Sequence, residues 1–163
     1  MDNDGFMGKL NELFEWIMRF ALINLLWFVF TLLGLVGLGL FPATTGAYAV
    51  ARKWRMGEPD APVFKTFWKS YRTEFIKANI LGYILVIIGF LLYLDFRIID
   101  HLEGFLSTLM MIVIFTVTFF FLFIVLFMFP LLVHYKMKTF QYIKNAAIIS
   151  FGFPIHSIIL LVL

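Results

Sequence analysis

Cysteine is absent, which excludes disulfides, thiolate metal sites and cysteine nucleophiles. Charge is scarce: 14% of residues are charged and 63% are apolar, whereas soluble domains carry about a quarter charged and about half apolar. The scarcity is not uniform. No charged side chain occurs between Arg19 and Arg52, between Lys77 and Asp95, between Glu103 and Lys136, or from Asn145 to Leu163. A soluble chain of 163 residues has too little interior to bury four such runs, whereas lipid solvates them.

Catalytic patterns are missing as well. No G-x-x-x-x-G-K-[ST] loop is present to cradle a nucleotide phosphate. His101, His134 and His156 form no His-x-x-x-His pair for a metal. Asp100, His101 and Glu103 cluster, but adjacent spacing on a short loop reads as surface charge rather than an acid–base site. The runs hold no carboxylate pair of the kind glycoside chemistry requires. The expectation is a protein without enzymatic activity, cofactor or metal.

What is present is membrane-spanning helix. About 20 apolar residues cross a bilayer, and FTVTFFFLFIVLFMF (115–129) lacks the polar alternation of a barrel strand. The predicted fold is an all-α polytopic membrane protein. It forms one transmembrane domain over 1–163, with at least four spans and an amphipathic helix between the first two. The fourth run ends at Leu163 without a polar exit, so a further span is expected.

Orientation follows lysine and arginine. Arg52, Lys53, Arg55, Lys65, Lys69, Arg72 and Lys77 lie between the first two runs, and Lys136, Lys138 and Lys144 between the last two. The intervening loop has Arg97 against Asp95, Asp100 and Glu103. A multi-pass membrane protein is expected, with 41–76 cytoplasmic. The acidic N-terminal segment (Asp2, Asp4, Glu12, Glu15) is then external. The Ala47-Tyr48-Ala49 triplet resembles a signal-peptidase site, but the start is acidic and the apolar run exceeds the 7–15 residues of a signal core.

FPATTGAYAVARKW (41–54) is the expected cytoplasmic exit of the first span. Pro42 is expected to stop or bend the helix, and Thr44 or Thr45 to cap a restarted one. Gly46, with Ala43, Ala47 and Ala51, offers a smooth face for another helix, and the first span adds Gly34, Gly37 and Gly39. Arg52 and Lys53 anchor the stretch. GEPDAP then interrupts the chain before VFKTFWKSYRTEF, within a segment taken as 57–76. There Phe64, Phe67, Trp68 and Tyr71 make one helical face and Lys65, Lys69 and Arg72 another. Such a helix anchors in lipid or offers a docking surface. A basic cluster pinned at a membrane does not read as nucleic-acid binding. The intramembrane polar candidates are Asn24, Asn145 and His156, the last beyond Pro154, with Pro130 in the third run.

The stretch FPATTGAYAVARKWRMGEPDAPVFKTFWKSYRTEFIKANILG resembles the signature region of the YesL family of small bacterial integral membrane proteins. The Pro-Ala-Thr-Thr turn, the Arg-Lys-Trp cluster, the Gly-Glu step and the Val-Phe-Lys-Thr-Phe-Trp-Lys helix carry the likeness. The resemblance implies a protein of Gram-positive bacteria encoded near carbohydrate ABC importers, including those for rhamnogalacturonan fragments, with no established enzyme activity. It points to a non-enzymatic accessory subunit whose partners are the bilayer and the permease subunits of such an importer. A signalling or regulatory protein and a self-assembled small-solute transporter are the alternatives.

Overall fold

The computed structural model describes residues 3–99, 104–135, 141–145 and 148. Five helices follow in order: α1 (Asn3–Leu33), α2 (Leu40–Arg55), α3 (Val63–Thr73), α4 (Phe75–Ile99) and α5 (Phe105–His134). No strand occurs among the described residues. Three stretches are long and apolar enough to cross a membrane: Met7–Leu33, Phe75–Ile99 and Phe105–His134. The fourth predicted span lies outside the described residues. The chain divides into two compact units, Met1–Phe75 and Ile76–Leu163.

The first apolar run does not continue from α1 into the basic cluster. It reverses at GLVGLG (34–39). A Cβ on Gly34 would lie 2.2 Å from the Gly39 Cα, and one on Gly39 would lie 2.5 Å from the Thr31 carbonyl oxygen. Only hydrogen fits at both positions. Leu35 and Val36 between them take positive φ, 54° and 62°, a region costly for residues with a Cβ. Most of the turn's backbone donors are satisfied internally: Gly34 N–H bonds Phe30 O, Leu35 bonds Leu32, Val36 bonds Thr31 and Leu38 bonds Gly34. A tip with apolar side chains and internally paired N–H groups suits an apolar medium.

Pro42 therefore neither stops nor bends a helix. It sits in the first turn of α2, where a missing N–H leaves no bond unmade. Thr44 and Thr45 do not cap either. The residue before α2 is Gly39, which makes no side-chain capping bond. Both hydroxyls donate back one turn, Thr44 to Leu40 O (2.8 Å) and Thr45 to Phe41 O (3.0 Å).

α2 runs antiparallel along α1. The Trp27 indole N–H donates to Thr44 Oγ1 at 3.0 Å. Toward the other end of both helices, Trp54 meets Trp16 and Phe20 edge to face, with ring centroids 5.4 and 5.6 Å apart. Arg19 reaches Asp60 Oδ1 at 3.1 Å. The Arg19 region of α1 and the 52–60 segment thus share one end of the unit, whereas the expectation from charge sets the N-terminal segment and the basic cluster on opposite sides of a membrane. The reversal at 34–39, invisible to a rule that counts charges, brings them together.

α3 returns antiparallel to α2. Phe67 packs on Gly46, where a Cβ would lie 3.1 Å from its ring, and the Ser70 hydroxyl faces the Thr45 carbonyl at 3.5 Å. The small-residue face of α2 is consequently covered by the chain's own third helix. Ile23, Leu26 and Phe30 of α1, Ala43, Val50 and Trp54 of α2, and Phe67 and Tyr71 of α3 form one buried cluster. α1 contributes them at helical spacing, leaving Leu22, Leu25, Phe28, Val29 and Leu32 exposed on its other side.

In the second unit, the Phe121 ring lies 3.5 Å from where a Gly89 Cβ would stand, and Phe96 meets Phe115 edge to face at 5.3 Å. α5 contains Pro130 and remains helical to His134.

Gly39→Ala is expected to prevent the hairpin from closing, with a loss of about 3 kcal/mol or more because backbone oxygens cannot yield. Gly46→Val is expected to lose about 1–3 kcal/mol against the Phe67 ring. Gly8→Ala, which meets nothing, should lose none. Thermal unfolding of the three variants in one detergent checks the order.

Candidate functional site

The aromatic stripe read from the sequence of α3 divides into two. Phe67 is fully buried and Tyr71 nearly so, while Phe64 and Trp68 stand 57% and 42% exposed. The inner pair serves the core. The Tyr71 hydroxyl donates to the Phe30 carbonyl at 3.3 Å, and burial raises its pKa above the usual 10.0. The outer pair remains available.

Phe30 of α1 organises this face. Its ring centroid lies 6.3 Å from Phe64, 5.3 Å from Phe67, 5.4 Å from Trp68 and 5.1 Å from Tyr71. Positions i, i+3, i+4 and i+7 of one helix can all reach one ring because they share a face. Phe30, Leu33, Phe64, Trp68 and Tyr71 line a groove of about 360 Å³. Lys65, Lys69 and Arg72 lie one residue further round α3, exposed, and no carboxylate pairs with them among the described residues.

The other basic residues are differently placed. Lys53 is held by Glu58 at 2.6 Å. Arg19 lies 3.5 Å from Glu15 and 3.1 Å from Asp60, and stacks 5.4 Å from the Trp16 ring centre. Arg52 is half-buried. Much of the predicted cationic anchor at Arg52 and Lys53 is therefore internal structure, whereas Arg55 and the three cations of α3 are exposed.

Among the intramembrane candidates, Asn24 stands on the exposed apolar side of α1. Its Nδ2 donates to the Phe20 carbonyl of its own helix at 2.9 Å. Asn145 is partly buried and belongs to the second unit. His156 lies outside the described residues. No group of three His, Asp or Glu side chains is placed to hold a metal among the described residues.

Sequence reasoning missed Phe30, Trp27 and the Arg19–Asp60 pair, because each acts on a residue distant along the chain. The reversal was within reach: three glycines in six residues inside an apolar run mark a turn.

The fold and this surface define an α-helical membrane protein with apolar spans and a short aromatic-basic helix packed on the first of them. Residues 20–96 match the family described as "Protein of unknown function, DUF624". The chain is 40% identical over 163 residues to the uncharacterized protein YteU of Bacillus subtilis (strain 168), covering 100% of this chain and 73% of that one. It is 36% identical over 145 residues to YesL of the same organism, covering 89% of this chain and 68% of that one. It is 33% identical over 132 residues to YesV, covering 81% and 64%. The chain belongs to this YesL-like, DUF624 family. No solved structure matches it.

Tyr71→Phe is expected to lose about 1 kcal/mol, the worth of one buried hydrogen bond. Because burial favours the neutral phenol, its contribution is complete below the usual pKa of 10.0 and fades as pH rises past it. The alkaline fall in melting temperature should be shallower in the variant.

Proposed function

We propose that the protein is a non-enzymatic accessory subunit of a carbohydrate ABC importer in the bacterial plasma membrane, held to the permease by lateral helix contact. The observation that supports this is Asn24. It stands among exposed Leu22, Leu25 and Phe28 on the open side of α1. Its side chain is exposed, and its Nδ2 bonds its own helix. An amide acceptor on an apolar face favours a donor from a neighbouring helix, since lipid tails supply none. The family resemblance supplies the kind of partner. The small-residue face of α2 does not supply the contact, because α3 already occupies it.

In this reading the Arg52–Arg55 end of the hairpin faces the cytoplasm, in keeping with the excess of basic residues there. The Glu12–Arg19 part of α1 lies on that same side.

Affinity purification of the full-length protein in mild detergent should bring sugar-permease subunits with it. Asn24→Leu should weaken that recovery, since such contacts contribute about 0.6–2 kcal/mol in membranes. Recovery of the protein alone under several mild detergents would reject the role. The cysteine-free chain also permits clean topology mapping. Single cysteines at Glu12 and Arg55 are expected to label from the same side of sealed vesicles, and labelling from opposite sides would overturn the hairpin orientation.

A further inference from the structure

We infer that the groove between α1 and α3 is a binding site for an anionic phospholipid, with an acyl chain against the aromatic rings and the phosphate held by Lys65, Lys69 and Arg72. This does not depend on the importer reading.

Three observations converge on it. The groove of about 360 Å³ is lined by Phe30, Leu33, Phe64, Trp68 and Tyr71, and the Tyr71 hydroxyl is turned inward to the Phe30 carbonyl. Its lining therefore suits hydrocarbon. Its size is at the low end of small-molecule sites, enough for a segment of one chain rather than a whole lipid.

The second observation is charge. Each aromatic residue of α3 that lines the groove is followed by a cation: Phe64 by Lys65, Trp68 by Lys69, Tyr71 by Arg72. One residue along a helix is a step of about 100°, so the cationic row runs beside the groove without lining it. These three side chains are exposed and pair with no carboxylate among the described residues, whereas Arg19 and Lys53 do. An anion therefore complements this row.

The third is the position of the helix. α3 has 11 residues, too few to cross a bilayer. Its exposed tryptophan beside exposed lysines has the character of the headgroup boundary. A ligand that is apolar at one end and anionic at the other, and already present at that depth, is an acidic phospholipid. Basic pockets between membrane helices hold such headgroups. A soluble phosphate would leave the groove unused, and a zwitterionic lipid would leave the cationic row unmatched.

The test uses the full chain in nanodiscs containing equal mole fractions of brominated phosphatidylglycerol or brominated phosphatidylcholine. Tryptophan quenching is measured in the unmodified protein and in Trp68→Phe, and the difference isolates Trp68. Brominated phosphatidylglycerol should quench Trp68 more strongly. The Lys65→Gln/Lys69→Gln/Arg72→Gln variant changes only exposed side chains and should lower that preference by about ten-fold or more. Equal quenching by both lipids would overturn the site, as would a preference that survives in the triple variant. Absence of Trp68 quenching by either lipid would also overturn it, and would mean that protein covers the groove, whether a second copy or another subunit. As an independent readout, phosphatidylglycerol should remain on the purified protein in native mass spectrometry and be lost from the triple variant.

Discussion

The close approach of two backbones at Gly34 and Gly39 is the constraint on which the first unit depends. A methyl group at either position would fall within 2.2–2.5 Å of main-chain atoms, and main-chain atoms inside a hydrogen-bonded turn cannot move aside. That approach allows α2 to fold back on α1, which aligns Trp27 with Thr44 and Trp16 with Trp54. The fold-back in turn presents Gly46 to α3 and leaves room for Phe67. Substituted glycines would break this sequence of contacts at its first step.

Two consequences follow for the surface. The small residues of α2, which look like a free helix-packing face when read along the chain, are consumed within the unit. The basic residues nearest the span are similarly occupied, Lys53 by Glu58 and Arg19 by Asp60. Open surfaces of the first unit include the exposed apolar side of α1 with Asn24, the exposed Arg55, and the outer side of α3 with Phe64, Trp68 and three cations that pair with no carboxylate among the described residues. An amide on an apolar helix face and an amphiphilic groove differ in chemistry, and the occupants proposed for them differ accordingly, a helix for one and a lipid for the other.

Much of this was legible in the sequence. Hydropathy and length are local properties, so the stretches over α1, α4 and α5 were visible as spans. The amphipathic spacing of α3 was equally visible, because i, i+3, i+4 and i+7 fall on one face whatever surrounds the helix. The division of that face was not. Phe67 and Tyr71 became core and Phe64 and Trp68 became surface because Phe30, more than 30 residues earlier, inserted among them. The roles assigned to Pro42, Thr44 and Thr45 failed for the same reason. Each is a reasonable helix-boundary residue, but the boundary had been placed earlier by glycines whose significance lies in what stands opposite them.

The sequence by itself determined the class of protein, the medium it lives in and the location of its amphipathic helix, since each follows from side-chain chemistry summed over a window of the chain. Only the tertiary structure decided which faces are open and which end of α1 the basic cluster joins. Those depend on a chain reversal, and a reversal fixes the neighbours of residues that are far apart in sequence, which no windowed sum can contain.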